Sequence, residues 1–293
     1  MERTPARVYT SHKQREGGGF VVRRSVGSQE YDYADPFLML DHLGPTTYGP
    51  GEAVGAPDHP HRGFETVTYV LSGGFHHLDN NGNEGFLRPG WAQWMTAGSG
   101  VIHSEMPVPE LLRDGGEFEG FQLWVNLPAK DKMIPPRYQD TPPEMLPKVT
   151  SPDGNAHVVV IAGESLGTKA VIETRSPMMF LDVSVKQGGE LTQSVPADYN
   201  GFIYVFRGEG SFGDGAKAKE GQFFPLGKGD KITAKGVAPQ GVRFLLIAGV
   251  PLNEPVARYG PFVMNTREQI VQAFQDYQSG KFGKEIAGAD ERS

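Results

Sequence analysis

The sequence contains no cysteine, which excludes disulfides, thiolate metal sites and cysteine nucleophiles. It has no apolar run approaching the roughly 18 residues that a spanning helix needs. The longest clear run, Phe244 to Val250, is the length of a strand. The first residues, Met-Glu-Arg-Thr-Pro-Ala, lack the apolar stretch of a secretory signal. An excess of positive charge is missing as well. Lys and Arg number 28 against 35 Asp and Glu, a formal net charge of −7, and such a field repels polyphosphate backbones and anionic membranes. One small basic cluster, Lys13, Arg15, Arg23 and Arg24, reads as solvated surface. No direct nucleic-acid or membrane partner is therefore expected. The expected compartment is the cytoplasm, with the nucleus open to a chain of this size, and the expected state is a monomer.

What the sequence has in abundance is glycine and proline, 39 and 23 of 293 residues. They cut the chain into short segments, as in all-β barrels with frequent turns. Several segments are rich in β-branched and aromatic residues: Phe20 to Val22, Thr66 to Leu71, Phe121 to Leu127, His157 to Ala162, Met179 to Val185 and Phe202 to Phe206. Asn81-Gly82 is a strong hairpin-turn dipeptide. One helix is expected near the C-terminus. Thr266 to Gln269 matches a capping box, Ile270, Phe274 and Tyr277 follow at helical spacing, and Gly280 ends the run. Residues 129–150 are rich in proline and suit a linker. The expected fold is all-β, with two antiparallel barrels, one over residues 1–133 and one over 134–293 that carries the helix.

A weak internal repeat supports two similar domains. Tyr69 to Gly73 resembles Tyr204 to Gly208, Leu87 to Gly90 resembles Leu226 to Gly229, and Phe121 to Pro128 resembles Phe244 to Pro251. The three blocks keep their order.

The chemistry concentrates in two short segments. Residues 58–65 read Asp-His-Pro-His-Arg-Gly-Phe-Glu. On a strand, residues two apart share a face, so His59 and His61 present two imidazoles side by side. Residues 100–105 read Gly-Val-Ile-His-Ser-Glu, and by the same parity His103 and Glu105 share a face. Two such strands meeting in one barrel supply three imidazoles and a carboxylate, a donor set that suits Fe, Ni, Cu or Zn. Glu65, four residues after His61, competes with Glu105 on simple parity. Arg62-Gly63 invites a bulge that would break that parity, leaving Glu65 turned aside near the rim. Counting back from Tyr204, the second half has Ser194 and Pro196 where the first has His59 and His61, so it is expected to bind no such ion. His76 and His77 point to opposite faces, so one of them can line the cavity. His42 reads as a hydrogen-bonded structural residue in a turn. Trp94, Met95, Gln122 and Trp124 are candidates for a pocket wall, with core packing the simpler reading for the aromatics.

These segments resemble a known family. His59 to Glu65 and Gln93 to Pro107 are similar to the two metal-binding motifs of the pirin family, and Tyr259 to Asn265 to its C-terminal signature. Leu40 to Pro45 and Phe121 to Leu127 resemble it too, so the likeness spans residues 20 to about 283. It implies a bicupin fold with one mononuclear iron, Fe(II), in the first barrel, held by His59, His61, His103 and Glu105. Cupins in general take the carboxylate from the first motif, here Glu65, whereas the pirin pattern takes it from the second, here Glu105. The resemblance further implies quercetin 2,3-dioxygenase activity on a flavonol-like substrate with O2, with Glu105 as base. The alternative it implies is an iron- and redox-gated transcriptional co-regulator with a protein partner of the NF-κB pathway type.

Overall fold

The computed structural model describes residues 1–16 and 18–282. Strands dominate. Among the described residues the helices longer than a single turn are α1, Pro109–Asp114, and α2, Arg267–Gln278. The chain forms two compact units that do not follow chain order. Of the described residues, one comprises 13–16, 18–23, 40–143 and 253–282, the other 1–12, 24–39 and 144–252. The division within the proline-rich stretch thus falls between Pro143 and Glu144. The C-terminal helix, expected with the second barrel, packs in the unit that contains the first.

In that first unit a seven-stranded sheet runs in the order Arg137–Thr141, Ala92–Thr96, Phe64–Ser72, Gly116–Asn126, Phe37–Tyr48, Phe20–Arg24 and Lys13–Glu16. A four-stranded sheet runs Ala56–His61, Val101–Pro107, Phe75–Asp79 and Glu84–Leu87. Phe20, Val22, Leu43, Val70 and Phe118 from the larger sheet close on Phe75 and Leu87 from the smaller, with Leu111 of α1. The Asn81-Gly82 hairpin joins Phe75–Asp79 to Glu84–Leu87, and both Asp79 carboxylate oxygens bind the turn, one accepting the Asn81 and Asn83 amides. Part of the expected linker is therefore structured, because Arg137–Thr141 is an edge strand against Ala92–Thr96. His42 lies in the strand Phe37–Tyr48 rather than a turn. Its Nε2–H donates to buried Glu119 at 2.7 Å and its ring stacks on Phe121.

The second unit is a ten-stranded sheet system whose interior is apolar, from Ala156 and Leu181 through Ile203 and Phe212 to Phe244. Its ladders fix the correspondence with the first. Tyr69 pairs with Ala92 and Phe121, as Tyr204 pairs with Phe223 and Leu245. Phe75 pairs with Leu87 and Pro107, as Gly210 pairs with Ala218 and Gly236. Counting back from Pro107 and Gly236 sets Glu105 against Ala234 and His103 against Ile232. His103 pairs with His59 and Ile232 with Gln193, so His59 and His61 match Gln193 and Val195. The expected counterparts Ser194 and Pro196 are off by one, because one more residue separates this strand from Tyr204. On a strand, one residue is a change of face. The repeat blocks shift likewise: Leu87 matches Ala218 rather than Leu226, and Phe121 matches Leu245. Val195, Ile232 and Ala234 belong to the apolar core, so the donor set of the first unit has no counterpart there.

Helix α2 begins as its sequence dictates. The Thr266 hydroxyl accepts from the Gln269 amide and the Gln269 side chain accepts from the Thr266 amide, a reciprocal capping box. Thr266→Ala should cost about 1 kcal/mol, read as a lowered unfolding midpoint in urea with an unchanged slope.

Candidate metal centre

The strand Ala56–His61 runs antiparallel to Val101–Pro107, with His59 directly opposite His103 and His61 opposite Val101. This register makes three imidazoles converge. Ring centroids are 4.3 Å apart for His59 and His103, 4.7 Å for His59 and His61, and 5.0 Å for His61 and His103. One ring nitrogen from each lies within 4.8 Å of the others. The His59 Nδ1–H donates to the Pro57 carbonyl at 2.7 Å, which leaves Nε2 as a lone-pair donor. His61 Nδ1 and His103 Nε2 are buried without a hydrogen-bond partner. Orphaned imidazole nitrogens pointing into one small space are what a first-row divalent ion would satisfy, and the three histidines fit one.

Burial pushes the pKa of His61 well below the ordinary imidazole range, the neighbouring His59 adds to this, and the Pro261 carbonyl opposes it. His103 is depressed in the same direction by burial and then by His59, His61 and His77. Both are neutral at physiological pH, the form that ligates a metal.

The two glutamates separate. Glu105 shares the His103 strand face, but its carboxylate stands outside the cluster of mutually close donor atoms. Its Oε1 accepts from the Thr68 hydroxyl at 3.1 Å and its Oε2 from the Gln122 amide at 3.0 Å. The ladder to Ala56–His61 shifts register between His103 and Glu105, the mark of a bulge. Glu65 accepts a 2.6 Å hydrogen bond from the Thr96 hydroxyl on a neighbouring strand of the seven-stranded sheet. It is only 2% exposed, so it lies in the interior rather than near the rim.

Around the histidines, Trp124 lies edge-on to His61 at 5.3 Å and Arg258 covers the Trp124 ring at 4.9 Å. Trp94 and Met95 are fully buried core. Of the adjacent pair, His77 is buried beside the cluster, with its Nδ1 3.4 Å from that of His103, while His76 faces out to Glu84. Burial drives the His77 pKa down to about 4, with Asp79 opposing. Tyr138, half-buried, meets the His77 ring at 4.9 Å. Parity says only that His76 and His77 face opposite ways; which one turns inward follows from the pairing of His77 with Glu105 across the ladder, which sequence spacing does not specify.

Two cations brace the motif from behind. Arg62 donates from Nε to the Ser99 carbonyl at 2.7 Å and from Nη1 to Asp276 of α2 at 2.8 Å, with its guanidinium 4.3 Å from the Phe282 ring. It thereby ties the corner after His61 and the loop before His103 to the C-terminal helix. Lys132 is 1% exposed, and its ammonium donates to the Gly63 and Val263 carbonyls and to Asn126 Oδ1. Gly63 has φ +85°, and a Cβ there would sit 2.0 Å from the Val263 carbonyl oxygen, so only glycine serves. Hydrogen bonds from Lys281 and then Arg62 hold the Asp276 carboxyl well below the usual carboxylate range. Its contribution to stability is fully present above an unfolded carboxyl pKa of about 3.9 and is lost as pH falls below that. Arg62→Ala should cost about 2 kcal/mol by removing a charge-assisted hydrogen bond from Asp276, which keeps its bond from Lys281. The deficit, measured by urea denaturation, should shrink as pH is lowered from neutral toward 3.

All-β repeats with a histidine cluster on one antiparallel strand pair, and none at the matching place in the second repeat, define a bicupin with, among the described residues, a single candidate metal centre. The comparisons name the family. Residues 19–125 match the Pirin family model and residues 180–283 the Pirin C-terminal cupin domain. The chain belongs to the pirin family. It is 48% identical to a pirin-like protein of Solanum lycopersicum over 93% of this chain and 90% of that one. It is 44% identical to human Pirin over 94% and 93%. Among solved structures, a quercetin 2,3-dioxygenase from Acinetobacter baumannii matches with TM-score 0.91 and 36% identity over 98% of this chain and all of the other. Among the described residues no helix is long and apolar enough to cross a membrane.

Proposed function

We propose that this chain is a mononuclear iron protein with flavonol 2,3-dioxygenase activity of the quercetin type. Its metal would be held by His59, His61 and His103, with Glu105 as the carboxylate of the site. The observation that carries the reading is the three-imidazole cluster of His59, His61 and His103, the last two buried, beside the buried carboxylate of Glu105. The family likeness to a protein titled quercetin 2,3-dioxygenase supplies the reaction class. When bound, the ion would supply open coordination positions and acidify a substrate hydroxyl.

The chain's own residues do the rest. Glu105 takes the proton of the flavonol 3-hydroxyl, acting as general base. Thr68 and Gln122 donate to its two oxygens and so aim the carboxylate before substrate arrives. Trp124 stands beside His61 at 5.3 Å, with Arg258 over its ring. O2 then opens the central ring of the substrate, with carbon monoxide as the second product.

The test is anaerobic loading with Fe(II), metal analysis, and an assay of quercetin-dependent O2 uptake and CO release on the same sample. Turnover proportional to iron occupancy is the expected result, and full occupancy without turnover would overturn it. The latter outcome would favour a second reading, metal-dependent recognition of a protein partner. The observation behind that reading is Arg62, which connects the ligand motif to the surface helix α2 through Asp276.

A further inference from the structure

His77 is not among the residues assigned a role above, yet it is 1% exposed and sits against the cluster. It lies on the strand Phe75–Asp79, the other neighbour of Val101–Pro107, and is paired with Glu105 across that ladder. Its Nδ1 faces the Nδ1 of His103 at 3.4 Å, and the two rings are 5.1 Å apart. Two imidazole nitrogens can share a hydrogen bond only if one carries the proton and the other does not. On the far sides of the pair, His103 Nε2 and His77 Nε2 are both buried without partners. His103 Nε2 is the nitrogen left for the ion.

We propose that His77 is a positioning residue for the metal centre: its Nδ1 accepts the Nδ1–H of His103 and so fixes that imidazole in the tautomer whose Nε2 lone pair is free for the ion. The arrangement differs from that of His59, whose Nδ1–H is held by the backbone carbonyl of Pro57. A carbonyl can only accept, so His59 has one possible tautomer in that bond. An imidazole can donate or accept, so the His103–His77 pair has two proton arrangements, and the ion selects one of them. In the selected arrangement the His77 proton resides on Nε2; the Tyr138 ring lies 4.9 Å from the His77 ring. Partners that orient a ligating imidazole are worth about 10- to 100-fold in metal affinity.

The inference rests on His103 being a ligand, and the test separates the two. In protein labelled with ¹⁵N-histidine and loaded with Zn(II), a diamagnetic probe, long-range ¹H–¹⁵N spectra should show His103 protonated at Nδ1 and metal-bound at Nε2. His77 should be protonated at Nε2. His103 bound through Nδ1, or His77 protonated at Nδ1, would overturn the proposal. His77→Phe, which keeps the ring and removes the acceptor, should weaken Zn(II) about 10- to 100-fold in a chelator competition. His77→Gln, which restores an acceptor, should recover most of that loss, and metal-free thermal midpoints should not follow the same order. Wild-type affinity in His77→Phe would overturn the proposal. If that variant does not fold, the wild-type spectra and the His77→Gln affinity decide. His103→Ala is the control for the parent reading. If it binds Zn(II) normally, the site itself is misassigned; if it loses Zn(II) while His77→Phe keeps it, only the role of His77 fails.

Discussion

His103→Ala should reduce bound Fe(II) or Ni(II) from about one equivalent to background under conditions that saturate the wild type. His103 is the residue that all the others converge on. It is directly across the ladder from His59, its ring is 5.0 Å from His61, and its carboxylate neighbour two residues on is Glu105. Removing it leaves only two imidazoles of the cluster, because the Glu105 carboxylate stands outside it with both oxygens already hydrogen-bonded. The matched control is His157→Ala. His157 lies on the strand Ala156–Ala162 in the other unit, with its Nδ1 bonded to the Thr150 hydroxyl, and its loss should leave metal content unchanged. Inductively coupled plasma analysis after dialysis reads both. A full equivalent retained by His103→Ala would remove the basis of the proposed centre.

The second large effect separates the two glutamates. Glu105→Gln should lower flavonol turnover by about 10²- to 10⁴-fold, the range for removing a general base. The amide keeps the shape and the bond from Thr68, but loses the charge and the basicity, and its NH2 would oppose the donating amide of Gln122. Metal affinity should fall less than turnover, because three imidazoles remain. Glu65→Gln should behave in the opposite way. Its carboxylate accepts from Thr96 on the neighbouring strand, so the change should cost about 1–2 kcal/mol of stability and leave metal content intact. Metal content and O2 uptake of both variants, loaded identically, decide the matter. Loss of metal in Glu65→Gln with full metal in Glu105→Gln would transfer the ligand role to Glu65 and eliminate the proposed base.

Much of this was legible in the sequence because it depends on local periodicity. Period-two parity placed His59 with His61 and His103 with Glu105, and the capping box at Thr266 marked the start of the helix where it occurs. The bulge that sets Glu105 apart from its strand partner, and the interior position of Glu65, are different matters. They depend on which strand lies alongside which, and a one-residue change of register reverses the answer. The same limit explains the second repeat. Counting from Tyr204 missed one added residue, and so named the outward Ser194 in place of the inward Gln193, whose amide is held by Ser165, Glu164 and Ser194. His77 needed a third strand before its place was defined. Arg62 and Lys132 reach partners in the C-terminal segment that no local pattern connects to them.

The exchange of terminal segments between the two units sets an order of events during synthesis. Residues 253 onward belong with the first barrel, yet the ribosome makes them only after the whole of residues 144–252. A nascent chain ending at Leu252 already holds every histidine of the cluster. It lacks the Asp276 that engages Arg62 and the Val263 carbonyl that engages Lys132. Vectorial folding from the N-terminus therefore cannot finish the half with the candidate metal centre first. Translation must run through the second barrel before the first is braced, so a premature stop there should yield a chain that has its candidate ligands but captures a divalent metal poorly.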